Sequence, residues 1–493
     1  MKTGFDNDKY IKLQSEKIME RINNSGNKLY LEFGGKLFDD YHASRVLPGF
    51  APDVKVRMLS ALADKAEILL VISSEDIENN KMREDIGITY ETDVLRLIDA
   101  FHSFGLYVGS VVVTKYNNQK SANDFIKRLE SLNFKVYKHY NIDGYPNDIP
   151  NIVSENGYGK NEYIETSRPL VVVTAPGPGS GKMATCLSQL YHEHKRGIKV
   201  GYAKFETFPV WNLPLNHPVN IAYEAATADL NDINIIDPFH LEAYGETTIN
   251  YNRDVEIYPV LKAMLTQIMG ECPYMSPTDM GVNMAGFCIF DDEAVRAAAN
   301  EEIIRRYYTA LCDKAMGRGS QDTVNKSLNI LQKANLDISL RKVATEANKK
   351  AEETSSSVVA IELENGEIVT GKNTEVMNAG AGALINALKS LAEIKDEIHI
   401  IPPVIFDPIQ KLKRMQSEDA NLRLNANEAL TAISISAVTN PVAQIVLEQL
   451  PKLKGLQAHS SVIISNEDRK VFKQFGIHLS MEPKYETNKL YQN

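Results

Sequence analysis

The stretch PLVVVTAPGPGSGKMATC, residues 169–186, combines residue types that can bind phosphate. A run of β-branched residues predicts a strand, and the text after the lysine has helical spacing. Between them, Gly177, Gly179 and Gly181 leave backbone N–H groups free to turn toward an anion, which the start of a helix also attracts. The Lys182 ammonium can neutralise phosphate charge. The sequence therefore predicts a phosphate site, with a nucleotide as the first candidate ligand.

The loop departs at two positions from the pattern GxxxxGK[ST] of phosphate-binding loops. Pro176 occupies the first glycine position, where the adjacent Gly177 can supply the bend. Met183 replaces the hydroxyl residue that normally holds Mg²⁺, and we expect Thr185 or an outer acidic residue to substitute for it. The expected ligand-binding residues are Gly177, Gly179, Ser180, Gly181, Lys182 and Thr185. The alternative is a strand-to-helix turn whose glycines only allow close packing.

A longer segment, GKMATCLSQLYHEHKRGIKVGYAKFETFP at 181–209, resembles the phosphate loop, first helix and second strand of dethiobiotin synthetase and related ATP-dependent ligases. The resemblance implies that Lys204 faces a carboxylate or carbamate that is being activated, with Glu206 two positions on. One lysine on the γ-phosphate and another on the acceptor suit phosphoryl transfer, which depends mainly on positioning and charge. The expected catalytic residues are Lys182, Lys204 and Glu206.

Acidic residues beyond this segment can supply oxygen ligands for Mg²⁺, a hard cation. The dethiobiotin synthetase resemblance makes Asp229 the first candidate. FCIFDDE at 287–293 resembles the strand and acid of a Walker B segment, so Asp291 is the second candidate. Helix capping is the alternative role for both. The other polar residues of this region are His217, Asn220, Glu224, Thr227, Asp232 and Asp237.

Two further features could contribute to a cleft. The segment EFGGKLFDDYHASRVLPGF is a second strand-glycine-lysine sequence near the amino terminus, with Gly34, Gly35, Lys36 and Asp39. Arg253 is a candidate clamp for phosphate or carboxylate, because its guanidinium can bind either through two hydrogen bonds.

The order of apolar runs predicts the fold class. KLYLEF, EILLVIS, LYVGSVVVT and FKVYKHY read as strands separated by helical spacing, which predicts parallel βαβ units. We expect a multidomain α/β protein with a Rossmann-like or P-loop-like doubly wound sheet. The predicted divisions are a Rossmann-like region at 1–150, a P-loop-like region at 151–320 sharing a cleft with the first, a helical connector at 321–355 and a C-terminal α/β domain at 356–493.

The C-terminal domain is expected to open with a hairpin that turns at Asn365-Gly366. A helix, the strand IHIIPPVIF, one long helix at NEALTAISISAVTNPVAQIVLEQL, and a final strand, helix and strand are expected to follow.

Composition narrows the function classes. With 493 residues and a net charge of −10, the chain lacks the basic excess of a general nucleic-acid or anionic-membrane binder. No apolar run reaches the roughly 20 residues that span a bilayer. Four cysteines without a CxxC pair fit a reducing cytoplasm and argue against a disulfide framework or a zinc site. We expect a cytoplasmic protein without nucleic-acid or membrane partners, and homo-oligomerisation stays open.

Taken whole, the chain resembles a bacterial protein family known as domain of unknown function 1846. The motifs that carry the resemblance are LEFGGKLFDDYHASRVLPGF, TAPGPGSGKMATCLSQLYHE, GYAKFETFPVWNLPLNHPVN, YEAATADLND and SPTDMGVNMAGF. It implies an α/β body, a helical segment and a C-terminal α/β domain, and it leaves the activity open.

Three functions therefore remain. The first is binding of a nucleotide or other phosphorylated small molecule, with activation of a carboxylate metabolite by ATP and Mg²⁺. The second is a non-catalytic binding or assembly protein with a structural glycine loop. The third is a transferase that acts on a phosphorylated metabolite.

Overall fold

The computed structural model describes residues 2–83, 86–416 and 421–487. Within them the strands are β1 (Leu29–Phe33), β2 (Ala66–Ser73), β3 (Met82–Arg83), β4 (Ile88–Thr89), β5 (Tyr107–Tyr116), β6 (Lys135–Tyr140), β7 (Leu170–Thr174), β8 (Gly201–Phe205), β9 (Asn234–Ile236), β10 (Ile249–Tyr251), β11 (Gly281–Val282), β12 (Val358–Glu362), β13 (Ile368–Lys372), β14 (Gln457–Ser460) and β15 (His478–Met481).

The helices of the same residues are α1 (Asn7–Asn24), α2 (Tyr41–Val46), α3 (Val54–Ser60), α4 (Ser74–Glu78), α5 (Tyr90–Ser103), α6 (Lys120–Ser131), α7 (Ile149–Ile152), α8 (Lys182–Lys195), α9 (Pro218–Ala226), α10 (Pro238–Tyr244), α11 (Asn252–Met269), α12 (Pro277–Met280), α13 (Asp292–Ala315), α14 (Gln321–Lys333), α15 (Lys342–Thr354), α16 (Ala379–Leu391), α17 (Pro403–Gln416), α18 (Ala426–Ala437), α19 (Pro441–Leu447) and α20 (Asn466–Gln474). None of these helices is both long and apolar enough to cross a bilayer.

The described residues form two compact units. One comprises residues 3–224 and 231–296, and the other comprises residues 225–230 and 297–487 together with Lys2. The first unit contains a seven-stranded sheet in the order β11-β8-β1-β7-β2-β5-β6, in which every neighbouring pair is parallel. The expectation of an α/β fold with a parallel sheet is confirmed. Strands from before and after residue 150 alternate in this sheet, and the sequence-based domain boundaries stay predictions.

Two adjacent strands in the middle of the sheet, β1 and β7, are followed by connections that run in opposite directions across the sheet. From β1 the chain passes through α2 and α3 to β2, on the far side of β7. From β7 it passes through α8 to β8, on the far side of β1. Adjacent strands whose connections leave in opposite directions open a crevice at their carboxyl ends, where α/β proteins collect ligands. The β1/β7 pair therefore marks the expected place of a site.

One face of the sheet is covered by α8 and α11. Val171 and Val173 of β7 belong to a buried apolar cluster with Leu187 and Leu190 of α8 and Leu261 of α11. Because β7 is buried along its whole length, its β-branched residues have packing partners on both faces, as expected of a parallel strand. This packing fixes the start of α8 over the carboxyl end of β7.

The second unit contains a smaller mixed sheet in the order β13-β12-β14-β15. The predicted hairpin is confirmed, with β12 and β13 antiparallel and Gly366 at φ +84° in the turn. The final strand, helix and strand are also confirmed as β14, α20 and β15, of which β14 and β15 pair in parallel.

Two predictions for the second unit are wrong, and proline explains both. IHIIPPVIF is not a strand, because α17 begins at Pro403. Two adjacent prolines remove ladder donors, and the fixed φ of proline suits the first turn of a helix. The predicted long helix is divided into α18 and α19, since Asn440 caps a new helix that starts at Pro441.

Candidate functional site

The glycine loop joins the end of β7 to the start of α8 at Lys182. Gly179 and Gly181 have φ values of +77° and +89°, a region that side chains with a Cβ rarely adopt. Gly181 is the N-cap of α8 and offers no side chain to the free N–H groups of the first turn. The loop is therefore a strand-to-helix turn that leaves the helix terminus without an internal side-chain cap.

One side of the loop is packed against the protein. The Ser180 hydroxyl donates to the Gly177 carbonyl at 2.8 Å, and the Thr114 hydroxyl donates to the Ser180 carbonyl at 2.7 Å. A Cβ at Gly177 would overlap the hydroxyl of Tyr90. Gly177 and Ser180 thus have a packing role, as expected if the loop is a structural strand-to-helix turn. Thr185 is fully buried, and its hydroxyl has no hydrogen-bond partner among the described residues.

The other side of the loop carries backbone donors. The N–H of Thr185 donates to the Gly181 carbonyl at 2.9 Å. For the N–H groups of Gly181, Lys182 and Met183, the structure records no acceptor in the described part of the chain. Such donors, together with the positive end of the helix dipole, form the usual anion site of a helix N-terminus.

The Lys182 side chain adds a positive charge at the same place. It is half-buried, and across residues 2–83, 86–416 and 421–487 its ammonium has no ion-pair or hydrogen-bond partner. Burial lowers its pKa, and the neighbouring charge of Lys204 lowers it further against the opposing effect of Glu32. A half-buried cation without a partner is electrostatically unsatisfied, so an anion here would be stabilised.

Lys204, by contrast, is enclosed by carboxylates. It lies in β8 opposite Glu32 of β1, and its Nζ is 2.5 Å from Asp254 Oδ2 and 2.6 Å from Glu206 Oε1. Burial acts to lower the pKa of Lys204, but the carboxylates of Asp254, Glu206 and Glu32 outweigh it and raise the pKa above its ordinary value. Two protein carboxylates already hold the Lys204 ammonium. The role of Lys204 toward a substrate carboxylate stays a prediction.

The two carboxyl groups on Lys204 differ in their protonation. Burial raises the pKa of Glu206 to about 7, and the charge of Asp254 adds to the rise although Lys204 opposes it. Asp254 is also buried, but the Lys204 ammonium brings its pKa below the ordinary value. At neutral pH the pair therefore combines one ionised carboxylate with one carboxyl that can accept or release a proton, which is the property of a general acid or base.

A third carboxylate connects this cluster to the glycine loop. Glu32 of β1 is buried and accepts a hydrogen bond of 2.6 Å from the Tyr202 hydroxyl. Its charge acts on both Lys182 and Lys204. The structure thus brings Lys182, Lys204 and Glu206, the three predicted catalytic residues, to the carboxyl edge of the same sheet.

The second glycine-lysine sequence has a structural role next to this edge. The Gly34 N–H donates to the Phe205 carbonyl at 2.9 Å and joins the ends of β1 and β8. Gly35, at φ +70°, lies beside the buried Lys55, whose Nζ is 2.7 Å from Asp40 Oδ2.

The two predicted magnesium ligands have different surroundings. Asp291 accepts a hydrogen bond of 3.0 Å from the Ala294 N–H and caps α13. Its expected Walker B strand is wrong, because Ala285–Cys288 forms a 3₁₀ helix in place of a strand. Asp229 belongs to the other compact unit. No group of three or more His, Cys, Asp or Glu side chains in the described ranges is arranged to hold a metal. Magnesium binding stays a prediction.

The neighbouring acidic residues form structural contacts. Asp237 caps α10 and accepts from Thr278, while Glu224 accepts from the Asn234 N–H. Asp232 pairs with Arg253 at 3.2 Å, so Arg253 contacts a protein carboxylate at the position where a phosphate clamp was expected.

Sequence reasoning missed Glu32 and Asp254. A glutamate inside the apolar strand LYLEF was a usable signal, because a buried carboxylate requires a partner. Asp254 is the residue after Arg253, and only the three-dimensional packing of α11 brings it to Lys204.

These features define an α/β protein with a strand-glycine-helix loop and a lysine-carboxylate cluster at the switch point of a parallel sheet. The family models of the N-terminal and C-terminal domains of unknown function DUF1846 match residues 3–335 and 339–491. The chain belongs to this family. UPF0371 proteins from Streptococcus pneumoniae strains JJA and CGSP14 are each 52% identical to it over 491 residues, covering 100% of this chain and 99% of theirs.

Proposed function

We propose that the protein binds a phosphorylated small molecule, in the first place a nucleotide, at the N-terminus of α8. The phosphates accept hydrogen bonds from the N–H groups of Gly181, Lys182 and Met183, and the Lys182 ammonium balances their charge. This arrangement follows the general physics of anion binding at helix N-termini. The position at the β1/β7 switch point supports the same place for a ligand.

The observation that carries the proposal is the contrast between the lysines near the carboxyl edge. Lys204 and Lys55 have carboxylate partners at 2.5 Å and 2.7 Å. Lys182 has none in the described ranges, although it is half-buried. A structural lysine in such a place would be expected to have a partner, because an uncompensated charge loses hydration without gaining an interaction.

The lysine-carboxylate cluster gives the proposal a chemical step. Protonation of Glu206, whose pKa is raised, would free the Lys204 ammonium to receive a carboxylate acceptor while Lys182 holds the phosphates. We extend the proposal to phosphoryl transfer: an oxygen of the acceptor carboxylate bonds to the γ-phosphorus of the nucleotide, the bond from that phosphorus to the bridging oxygen of the β-phosphate breaks, and the nucleoside diphosphate leaves as an acyl phosphate forms. Magnesium would arrive with the nucleotide, because Met183 offers no oxygen ligand.

Thermal unfolding with a panel of ligands tests the binding step. The panel contains ATP, ADP, GTP, pyrophosphate, a sugar phosphate and inorganic phosphate, each with and without Mg²⁺. A ligand that binds only the native state raises the melting temperature by mass action. We expect protection by at least one polyphosphate and its loss in Lys182→Ala.

The matched control is Lys195→Ala, which removes a lysine from the last turn of the same helix, where it is 57% exposed and pairs with Glu155. This variant should keep the protection. Equal protection of the wild type and Lys182→Ala, or no protection by any phosphate, would overturn the proposal.

A further inference from the structure

The helix α17 of the second compact unit is apolar on two opposite sides. Its inner side is fixed by Ile405, Phe406 and Ile409, which pack against the apolar core of the unit. Lys413 also lies on this side, where it pairs with Glu428 of α18 at 2.8 Å. The opposite side of the helix therefore points to solvent.

The outer side carries large apolar side chains. Val404, Leu412 and Met415 are 76%, 55% and 77% exposed, and they form one stripe with the exposed Pro408 because the spacing is three or four residues. Together with Val438 of α18, Val404 and Met415 are the most exposed large apolar residues of the described part of the chain. A surface helix normally has a polar outer side, and an exposed apolar stripe marks a site of association.

Two opposite charges lie in the same stripe. Asp407 and Lys411 are both exposed and one helical turn apart. Across residues 2–83, 86–416 and 421–487, neither side chain has an ion-pair or hydrogen-bond partner. A face with one charge of each sign is complementary to itself. If a second copy runs antiparallel about a two-fold axis at position 409, Asp407 of each copy faces Lys411 of the other, and symmetry forms both pairs at once.

We propose that α17 is the centre of a homodimer interface, with α17 of a second copy packed antiparallel against its outer side. Val404, Leu412 and Met415 bury apolar surface there, and the two pairs of Asp407 with Lys411 set the direction of the helices. A second copy fits this stripe better than an anionic lipid surface, because Asp407 lies in its middle and the chain has a net charge of −10. The inference does not depend on phosphate binding at α8.

The neighbouring helix supplies the rest of the interface. A stable dimer buries roughly 800 Å² of each copy, which is more than one side of a 14-residue helix offers. The helix α18 contacts α17 through the pair of Lys413 and Glu428, and it exposes Ile435 and Val438 on its own outer side. These residues extend the apolar surface available to the second copy.

Sedimentation equilibrium of the full chain over a range of micromolar concentrations tests the proposal without any ligand. We expect the wild type to dimerise, and Leu412→Asp to weaken the dimer at least about tenfold, because the variant buries a carboxylate without a partner. Leu132→Asp is the matched control, since this leucine is 50% exposed at the end of α6 in the first unit. The control should dimerise like the wild type.

Charge reversal tests the antiparallel arrangement. Asp407→Lys and Lys411→Asp should each dimerise at least about tenfold more weakly, because like charges then meet twice across the two-fold axis. An equimolar mixture of the two variants should form a heterodimer, since both charge pairs are again opposite. The double variant should form a homodimer for the same reason. Recovery on mixing also shows that each variant is folded.

Three results would overturn the proposal. The first is a wild type that stays monomeric, whether or not it binds another protein or anionic vesicles. The second is a dimer that Leu412→Asp leaves unchanged, because the interface would then lie elsewhere. The third is a failure of both the mixture and the double variant to recover the association that the single charge reversals lose.

Discussion

The carboxylate of Asp254 lies 2.5 Å from the ammonium of Lys204, although 50 residues separate them in the chain. The pair joins the first turn of α11 to the carboxyl end of β8. Glu206 contacts the same ammonium, so one cation balances two carboxylates. This shared pairing makes the three residues unequal in their effect on stability.

Lys204→Met should destabilise the protein far more than Asp254→Asn. Removing Lys204 leaves two buried carboxylates uncompensated and should cost about 3–5 kcal/mol, the usual penalty for breaking a buried pair. Removing the charge of Asp254 leaves Glu206 to balance Lys204, so about 1–2 kcal/mol is expected. Urea unfolding of both variants measures the free energies, with Glu256→Gln as the control because this glutamate is exposed on α11. Equal costs for the two variants would contradict the shared pairing.

The stability of the wild type relative to Glu206→Gln should fall as pH rises from about 5 to about 7. Burial raises the pKa of Glu206 from 4.5 to about 7, so the folded protein binds this proton more tightly than the unfolded chain. Stability from such a group is present below the unfolded pKa and is lost as pH rises through the folded pKa.

The expected loss is about 1–3 kcal/mol by this linkage. Denaturation curves of both proteins at several pH values provide the measurement. A difference in unfolding free energy that is flat over this pH range would show that Glu206 keeps an ordinary pKa.

Gly177→Ala should lower stability through a clash that a second substitution relieves. The new methyl would overlap the Tyr90 hydroxyl, and core overpacking typically costs about 1–3 kcal/mol. In the double variant with Tyr90→Ala, the cost of Gly177→Ala should largely vanish. A double-mutant cycle of thermal unfolding measures the coupling. If the losses of stability in the two single variants simply add in the double variant, the contact between Tyr90 and the loop is not the cause of the destabilisation.

Arg341→Lys should weaken the C-terminal unit. The guanidinium is fully buried and donates to Ser480, Gln457, Glu301 and the carbonyls of Ala458 and His478, all at 2.6–3.0 Å. Lysine has three donors and cannot reproduce this planar set, so a loss of about 2–4 kcal/mol is expected. Calorimetric unfolding provides the measurement, and a variant as stable as the wild type would contradict this account.

Much of the fold follows from local sequence. The β-branched runs of β2 and β7 are buried throughout, and the Asn365-Gly366 turn is a strong hairpin signal. Two predicted strands are absent from the described residues, because an apolar run alone does not distinguish a strand from a helix. In IHIIPPVIF the prolines at 402–403 disfavour a strand, and α17 begins at Pro403. In the predicted Walker B segment, a short 3₁₀ helix forms at Ala285–Cys288.

The candidate site was predictable only in its local part. Lys182 stands out because it follows a strand and a glycine loop, and the resemblance to dethiobiotin synthetase adds Lys204 and Glu206. Asp254 and Glu32 do not stand out in the sequence. The order of strands in the sheet brings Glu32 beside Lys204, and the packing of α11 brings Asp254 to the same lysine. Strand order depends on long-range pairing, which residue spacing does not encode.

Isothermal titration of pyrophosphate and of Mg-ATP into the wild type and Lys182→Ala tests the central claim most directly. We predict saturable binding to the wild type of at least one of the two, weakened about tenfold to a hundredfold in the variant, since a charge-assisted hydrogen bond contributes about 1.5–3 kcal/mol. Binding should also take up protons in alkaline buffer, because burial lowers the pKa of Lys182 and a bound anion raises it. Affinities that are the same in the two proteins, or no heat of binding for either ligand, would contradict the assignment of the α8 N-terminus as a phosphate site.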